Sequence, residues 1–303
     1  MYSDFTTVAD ILPAWKLSLR AGTKPTRYPV GEGAFSHIRI GPGLLTLIGG
    51  PPALGKTALV MQWLLDALRA TPDLRAVVVN VESAPELLLD RQLSRLSGID
   101  YSLIRDREPL DPDRLTFGFD ALDAVADRLA FVNGPYTLEH VAAVASQFHP
   151  GLIVLDYIQR IPKTDGKQLD ARQAVSAAMQ MARQFTDAGL AIMAVAALAR
   201  GSGQRGSTYD GAGVASFRES SELEYGADDA FILSTAGTGA GPGDLILKHV
   251  KARHSEPRHL ALTFDGAHQK FTALDLDEAG LLAEDPDALS PEALAERWAG
   301  GDE

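Results

Sequence analysis

The sequence contains no cysteine among its 303 residues, which excludes disulfide bonds and thiolate metal sites. No apolar stretch approaches the length of a membrane span, and the first residues lack the pattern of a signal peptide. Basic residues are in the minority, since 28 Lys and Arg against 40 Asp and Glu leave a formal net charge of −12. Binding to nucleic-acid phosphates depends on Lys and Arg. We therefore expect a cytoplasmic protein without membrane contact, in which any nucleic-acid site needs its own local cluster of basic side chains.

The most informative pattern lies in residues 49–59, where a glycine-rich segment fits G-x-x-x-x-G-K-[ST], the phosphate loop of nucleotide triphosphatases. An apolar run at 44–48 predicts a strand before the loop, and the spacing of apolar residues in 58–69 predicts a helix after it. Glycines let several backbone N–H groups point at one anion, and the helix N-terminus adds a partial positive charge. A glycine-rich turn that carries a lysine by chance is the alternative, which the flanking strand and helix disfavour.

This pattern predicts a nucleotide site in which Lys56 contacts the β- and γ-phosphates and the Thr57 hydroxyl is a ligand of Mg²⁺. The predicted nucleotide contacts in the loop are Gly50, Pro51, Pro52, Ala53, Leu54, Gly55, Lys56, Thr57 and Ala58.

Two acidic residues directly follow runs that predict buried strands. Glu82 comes after the β-branched run 76–81, and Asp156 ends the apolar run that begins at Leu152. Open α/β sheets place ligands at the carboxyl ends of their strands. Glu82 there could deprotonate an attacking water, or it could instead be an acidic partner for the N-terminus of the following helix. Asp156 is expected to hold Mg²⁺ through its water shell.

Predicted strands and helices alternate through the first two thirds of the chain, which indicates an α/β fold with a mostly parallel, doubly wound sheet. Later runs in hairpin-like succession predict antiparallel strands at the C-terminal side. These later runs are residues 230–233, 244–250, 258–264 and 270–274.

We divide the chain into an N-terminal helix and linker (1–40), a nucleotide-binding domain (41–275) and an acidic C-terminal tail (276–303). Residues 8–19 have apolar side chains at helical spacing. This helix can dock on a neighbouring subunit or pack on its own domain, and the sequence leaves both open.

Two segments concentrate basic residues in this acidic chain. The segment 200–216 is rich in Gly and Ser, has no hydrophobic period, and is interpreted as a loop that carries Arg200 and Arg205. The second group is interpreted most simply as a solvated turn between two strands, and comprises Lys248, Lys251, Arg253, His254 and Arg258.

Taken together, these stretches resemble the C-terminal motor domain of the DnaB-type replicative helicases, which has a RecA-like fold. The resemblance extends from about Pro29 to Phe271 and rests on five segments that occur in the order of the family's motifs. They are 51–57 (phosphate loop), 80–83 (Asn-Val-Glu-Ser), 155–159 (Leu-Asp-Tyr-Ile-Gln), 217–224 followed by Ala227-Asp228, and 251–254 (Lys-Ala-Arg-His).

The resemblance implies an ATP hydrolase that uses Mg²⁺, with Glu82 as the catalytic glutamate and Gln159 among the nucleotide contacts. It implies that Arg253, the arginine finger, and Lys251 act on the neighbouring subunit's site, and thus a homo-oligomeric ring, a hexamer in the family. It further implies that Arg218, Glu219 and Ser221 line a channel for single-stranded DNA, which Arg200 and Arg205 extend. Proteins of replication or of a mobile element are the partners that this family suggests.

Departures from the family pattern keep three functions open. The family's Ser-Gln-Leu-Asn-Arg run, whose Gln is the proposed link between nucleotide and DNA loops, is Ala196-Ala197-Leu198-Ala199-Arg200 here. The first function is a motor that moves on single-stranded DNA and unwinds duplex. The second is a RecA-like, ATP-switched DNA-binding protein without processive unwinding, which Ala197 favours. The third is an assembly ring that binds nucleotide but catalyses little.

Overall fold

The computed structural model describes residues 5–161, 171–198, 226–235 and 244–274. The strands in these ranges are β1 (Leu45–Gly50), β2 (Ala76–Asn80), β3 (Leu129–Phe131), β4 (Leu152–Asp156), β5 (Ala191–Ala197), β6 (Asp229–Thr235), β7 (Asp244–Ala252), β8 (Leu260–Asp265) and β9 (Lys270–Ala273). The helices are α1 (Val8–Ala21), α2 (Lys56–Ala70), α3 (Pro85–Ser97), α4 (Tyr101–Arg105), α5 (Pro112–Asp123), α6 (Leu138–Phe148) and α7 (Ala171–Asp187).

All of these strands form one nine-stranded sheet in the order β3-β2-β4-β5-β1-β6-β7-β8-β9. The pairs from β3 to β6 are parallel, and those from β6 to β9 are antiparallel. The four strands β1, β2, β4 and β5 are apolar and buried on both faces, which is typical of parallel strands covered by helices. The predicted α/β fold, with a mostly parallel sheet and antiparallel strands at the C-terminal side, is therefore confirmed.

The helix after the phosphate loop, α2, is deeply buried against the sheet. Its Trp63 is fully buried and makes edge-to-face contacts with Phe35 before the sheet and with Phe231 on β6. Leu59 and Leu64 are also fully buried. Each such side chain contributes about 1.5–3 kcal/mol to folding through the area it removes from water. The N-terminus of α2 is thereby fixed against the sheet.

The parallel register brings four strand ends into one row. Gly50 of β1 lies beside Ala197 of β5, and Asp156 of β4 lies beside Val195 of β5 on one side and Asn80 of β2 on the other. Because β4 lies between β2 and β5, residues that follow these strands meet at one edge of the sheet.

The structure contains two helices that were not predicted from the sequence, α4 and α5. Gly118 is the buried residue of α5, where a Cβ would lie 2.7 Å from Leu93 Cδ1. Leu115 and Leu122 of the same helix pack on the buried cluster of Leu93, Ile99 and Ile104, so α5 lies closely against α3. The expected helix 8–19 is α1, and none of its residues is buried. In the described part of the chain, no helix is long and apolar enough to cross a membrane.

Candidate nucleotide site

The phosphate loop connects the end of β1 to the start of α2, as the sequence predicts. Gly55 caps the N-terminus of α2 with φ +87°, and a Cβ at this position would lie 2.8 Å from Phe271 Cζ. A Cβ at Gly50 would lie 2.5 Å from the carbonyl oxygen of Leu233 on the adjacent β6. Both glycines therefore let the loop pass close to its neighbours, with the helix N-terminus directed towards the space above it.

Lys56 is buried and its amino group donates hydrogen bonds to the carbonyl oxygens of Gly50, at 2.8 Å, and Pro51, at 2.7 Å. Burial lowers the pKa of Lys56, and the carboxylates of Asp156 and Glu82 oppose that shift. The side chain of the lysine is therefore folded over its own loop, within the electrostatic reach of both predicted acidic residues.

Asp156 is the most strongly perturbed titratable group in the described site. It is 2 % exposed, and burial raises its pKa to about 6, although hydrogen bonds from Thr57 and Asn80 favour the ionised form. The Thr57 hydroxyl and the Asn80 amide each donate to Oδ2 at 2.8 Å. The other oxygen, Oδ1, is buried without a hydrogen-bond partner. An acceptor left unsatisfied in this way is costly and fits a ligand that donates hydrogen bonds.

The donor set fits Mg²⁺ bound in part through nucleotide phosphates. A hydroxyl and a carboxylate are hard oxygen ligands, and Mg²⁺ usually keeps several waters and takes few protein ligands. Thr57 and Asp156 could hold such an ion, with Oδ1 of Asp156 accepting from its water shell. Among the described residues no group of three or more His, Asp or Glu side chains could hold a metal ion by itself.

Glu82 lies two residues beyond β2, at the same edge of the sheet. The backbone N–H groups of Glu82 and Ser83 donate to Oδ1 of Asn80, which fixes the turn that carries Glu82. Its carboxylate forms an ion pair of 2.9 Å with Arg160. The N-cap residue of α3 is Ala84 and no side chain caps this helix, so the alternative role of Glu82 as a capping partner is not supported.

Gln159 lies in the turn after β4 and contacts the end of β5. Its amide donates to the carbonyl oxygen of Ala197 at 3.0 Å and accepts from the Ala197 N–H at 3.3 Å. Gln159 is thus placed at the predicted site, although its contacts in the structure are with the backbone of Ala197.

Lys56, Glu82 and Gln159 line a pocket of about 350 Å³ at the carboxyl edge of the sheet. Its lining comprises Gly50, Pro52, Lys56, Glu82, Tyr157, Gln159, Arg160, Ala197 and Leu198. Three residues at this site, Asn80, Tyr157 and Arg160, were not predicted from the sequence. Asn80 lies two residues before Glu82, and Arg160 directly follows Gln159. Their nearness in the sequence to predicted site residues was the signal available for finding them.

Arg253 and Lys251 lie at the opposite edge of the sheet. Lys251 pairs with Ala230 at the start of β6, and Arg253 follows β7 directly. Arg253 donates to Asp228 at 2.9 Å, and the same carboxylate accepts from the N–H of Leu45, the first residue of β1. Because β1 rises by about 3.3 Å per residue, the loop at its far end lies roughly 16 Å away. Arg253 therefore does not complete the nucleotide site of its own chain.

Asp228 lies in one of the motif segments, but no role was predicted for it. It is 2 % exposed and accepts hydrogen bonds from Arg183 on α7, at 2.9 and 3.2 Å, as well as from Arg253. Burial alone would raise the pKa of Asp228. The hydrogen bonds that it accepts from Arg183 and Leu45, together with the positive charges of Arg183 and Arg253, lower its pKa below the ordinary value. The carboxylate thus remains charged and fixes the start of the segment that carries Arg253.

The predicted DNA-contacting residues Arg200, Arg205, Arg218, Glu219 and Ser221 lie outside the described residues. The described chain reaches their segment at Leu198, directly after the Ala197 that Gln159 contacts.

Comparison with known proteins agrees with this geometry. The family model described as the DnaB-like helicase C terminal domain matches residues 40–273. A structure solved of an isolated ATPase domain superposes with a TM-score of 0.74 at 15% identity, and the match covers 89% of this chain and 100% of that one. A DnaB-like replicative helicase, solved in a study of its interactions with primase, superposes with a TM-score of 0.71 at 16% identity, covering 90% of this chain and 68% of that one. No curated protein matched the chain.

The family match covers the phosphate loop, both acidic residues and the segment of Arg253, and the fold is that of the two solved structures. The chain belongs to the family of DnaB-like helicase C-terminal domains, as the sequence motifs predict.

Proposed function

We propose that the protein is a Mg²⁺-dependent ATP hydrolase that assembles into a homo-oligomeric ring, moves along single-stranded DNA and unwinds duplex. The observation that carries the proposal is that Lys56 and Glu82 line one pocket, and that Asp156 lies at the same edge of the sheet, hydrogen-bonded to Thr57 next to Lys56. Each residue has the chemistry that phosphoryl transfer requires: a cation for phosphate, a carboxylate for the metal ion, and a base for water.

In this proposal Lys56 exchanges the carbonyl oxygens of Gly50 and Pro51 for the oxygens of the β- and γ-phosphates. The exchange is favourable because a buried ammonium gains charged acceptors in place of neutral ones. Glu82 accepts the proton of the attacking water, from a turn that Asn80 holds in place. Bound Mg²⁺ would neutralise charge on the phosphates. Thr57 and Asp156 would hold the ion at the end of β4.

The position of Arg253 supports a site completed by a second copy. Arg253 lies at the sheet edge opposite its own phosphate loop, partly exposed and directed by Asp228. An arginine supplied in trans can stabilise the charge that develops on the transferred phosphoryl. In a ring in which copies face one another head to tail, the edge that carries Lys251 and Arg253 would face the next copy's pocket.

Helix α1 supports self-association by a second route. It leaves Val8, Ile11, Trp15 and Leu19 at helical spacing with more than half of each residue's surface exposed. None of the residues of α1 is buried against its own domain. We therefore favour the docking of α1 on a neighbouring subunit over packing in cis, because a helix gains little stability from propensity alone and requires a partner for its apolar face.

A RecA-like, ATP-switched DNA-binding protein is the second candidate, and the observation that favours it is Ala197. Its methyl side chain offers no hydrogen-bonding group at the end of β5, next to the pocket. A switch would bind and hydrolyse ATP without processive unwinding.

The test is the steady-state rate of ATP hydrolysis with and without single-stranded DNA, followed by strand displacement on a forked duplex. Lys56→Ala serves as the blank, and Lys270→Ala, an exposed lysine on β9, is the matched control. Stimulation by DNA together with displacement is the expected result. Stimulation without displacement would identify the switch, and a rate no higher than that of Lys56→Ala would contradict both.

A further inference from the structure

The turn that follows β4 connects the two strands on either side of it. Its residues Ile158–Arg160 form one turn of 3-10 helix, anchored by Ile158, which is fully buried. From this turn Arg160 reaches the β2 side and pairs with Glu82, while Gln159 reaches the β5 side and holds the backbone of Ala197. Two consecutive side chains thus join the predicted base to the end of the strand that leads towards residues 199–225.

We propose that Arg160 is a positioning residue that holds the Glu82 carboxylate aside in the nucleotide-free protein, and that the turn passes the release of this contact through Gln159 to the end of β5. The proposal rests on the function proposed above and adds a control of the same site. Position 197 is Ala in this chain and has no side-chain amide to link the nucleotide to the segment after β5. The proposal assigns that link to Gln159.

The Arg160–Glu82 ion pair is weak enough for a bound nucleotide to disturb it. The side chain of Arg160 is 60% exposed and that of Glu82 is 41% exposed, so water weakens their attraction. Both residues line the pocket, so a bound nucleotide would disturb the pair for part of each turnover without needing Arg160 for its own binding. While the pair persists, one carboxylate oxygen of Glu82 is committed to the guanidinium and is less available to a water hydrogen.

The contact of Gln159 with Ala197 provides a measurable signal at the β5 side of the turn. Both hydrogen-bonding groups of the Gln159 amide are used by the backbone of one residue, so a shift of the turn must lengthen or break these bonds. The Ala197 N–H is a direct reporter, because its exchange with solvent reflects the bond to Oε1 of Gln159.

The experiment uses the full chain and the variant Arg160→Gln, which removes the charge but keeps a polar side chain. Arg160→Lys is the conservative rescue. Arg105→Gln is the matched control, since Arg105 forms a comparably exposed ion pair with Asp106 at the end of α4, away from the pocket. The readouts are kcat and KM for ATP without DNA, affinity for a non-hydrolysable ATP analogue, and hydrogen exchange of the Ala197 amide without nucleotide.

Arg160→Gln should raise the DNA-independent kcat by roughly two- to fivefold, the range that loss of one exposed ion pair can supply. It should leave KM nearly unchanged and speed the exchange of the Ala197 amide towards the value of the analogue-bound wild type. Arg160→Lys should restore the wild-type rate in large part, and Arg105→Gln should change none of the readouts.

Two results would overturn the proposal. A lower kcat in Arg160→Gln with intact analogue binding would make Arg160 a group that acts on the transferring phosphoryl. Unchanged Ala197 exchange would show that the turn does not transmit the contact. If the wild type hydrolyses no ATP, the proposed function fails by itself, while the exchange measurement still decides whether Arg160 and Ala197 are linked.

Discussion

The Thr57 hydroxyl donates a hydrogen bond of 2.8 Å to Oδ2 of Asp156, although 99 residues separate them in the sequence. This contact joins the first turn of α2 to the end of β4 and brings the two predicted Mg²⁺ ligands together. It leaves Oδ1 of the same carboxylate buried and without a hydrogen-bond partner. The site is thus held in a form that is costly until a ligand binds.

Asp156→Asn is expected to stabilise the nucleotide-free protein while it abolishes Mg²⁺-dependent hydrolysis. Burial raises the pKa of Asp156 from 3.8 to about 6, so between these values the folded state binds more protons than the unfolded state, and stability falls as pH rises. Well above pH 6 the free-energy cost of burying the charged carboxylate is fully present. A pKa shift of this size corresponds to about 3 kcal/mol. Urea unfolding at several pH values would measure the difference between the variant and the wild type.

The gain should be largest at pH 8 and should shrink as the pH is lowered towards 4. The amide oxygen of the substituted side chain can still accept from Thr57 and Asn80. The amide nitrogen takes the unpartnered position of Oδ1, so the gain is the cost of the buried charge less the cost of an unsatisfied amide, about 1–3 kcal/mol. The exposed Asp123→Asn at the end of α5 is the control. A variant less stable than the wild type at pH 8 would contradict this account of the carboxylate.

Arg253→Ala should lower ATP turnover by roughly 10³-fold or more, the contribution typical of an arginine supplied to phosphoryl transfer. Binding of ATP should be nearly intact, because Arg253 lies at the sheet edge opposite its own loop. Titration of the variant into the wild type, at constant total protein, is the informative measurement.

If Arg253 acts on a neighbour and the sites of one ring depend on each other, activity in these mixtures should fall faster than the wild-type fraction. The exposed Arg258→Ala is the control and should leave activity nearly constant at every mixing ratio. Strict proportionality would mean that the sites act independently. A role in trans would then be ruled out if mixing Arg253→Ala with Lys56→Ala, each inactive alone, restored no activity.

Gly50→Ala should cost roughly 3 kcal/mol of folding stability, the upper range for forcing an extra methyl group into a packed site. The added Cβ would meet the carbonyl oxygen of Leu233 at 2.5 Å, and backbone cannot move away as a side-chain end can. Gly189→Ala is the control, because Gly189 has φ +89° but open space around the position of its Cβ. Its cost should be about 1 kcal/mol, from the backbone conformation alone.

Thermal and guanidinium unfolding of both glycine variants would measure the difference. Equal destabilisation would mean that the approach of β6 to the phosphate loop is not what requires glycine at position 50.

Trp15→Asp should weaken self-association, since it places a charge in the apolar stripe of α1, where Trp15 is 54% exposed. Leu17→Asp is a matched control, because Leu17 is also apolar and 69% exposed but lies on the opposite side of the helix from Trp15. Sedimentation velocity over a range of concentrations would report the assembly state of each. If both variants, or neither, reduce assembly, the stripe is not the surface that docks.

Much of this protein follows from local sequence patterns. The phosphate loop was predictable because its chemistry requires particular residues at fixed spacing between a strand and a helix. The strands β1, β2 and β4 were predictable because apolar runs bounded by polar residues are typical of strands buried on both faces of a parallel sheet. The helices α4 and α5 were missed. In α5 only Gly118 is fully buried, and the two leucines that pack on the neighbouring cluster, Leu115 and Leu122, give a short apolar pattern that was overlooked.

The sequence by itself therefore determined the family and the fold class, and it supplied the residues that we propose to bind phosphate, metal ion and water. Only the tertiary structure decided which of them meet. The order β2-β4-β5 places Arg160 beside Glu82 and Gln159 beside Ala197, and the reversal of β7 places Arg253 at the far edge beside Asp228. These contacts join residues far apart in the chain. Their partners are set by strand order and register, which no local spacing of residue types encodes.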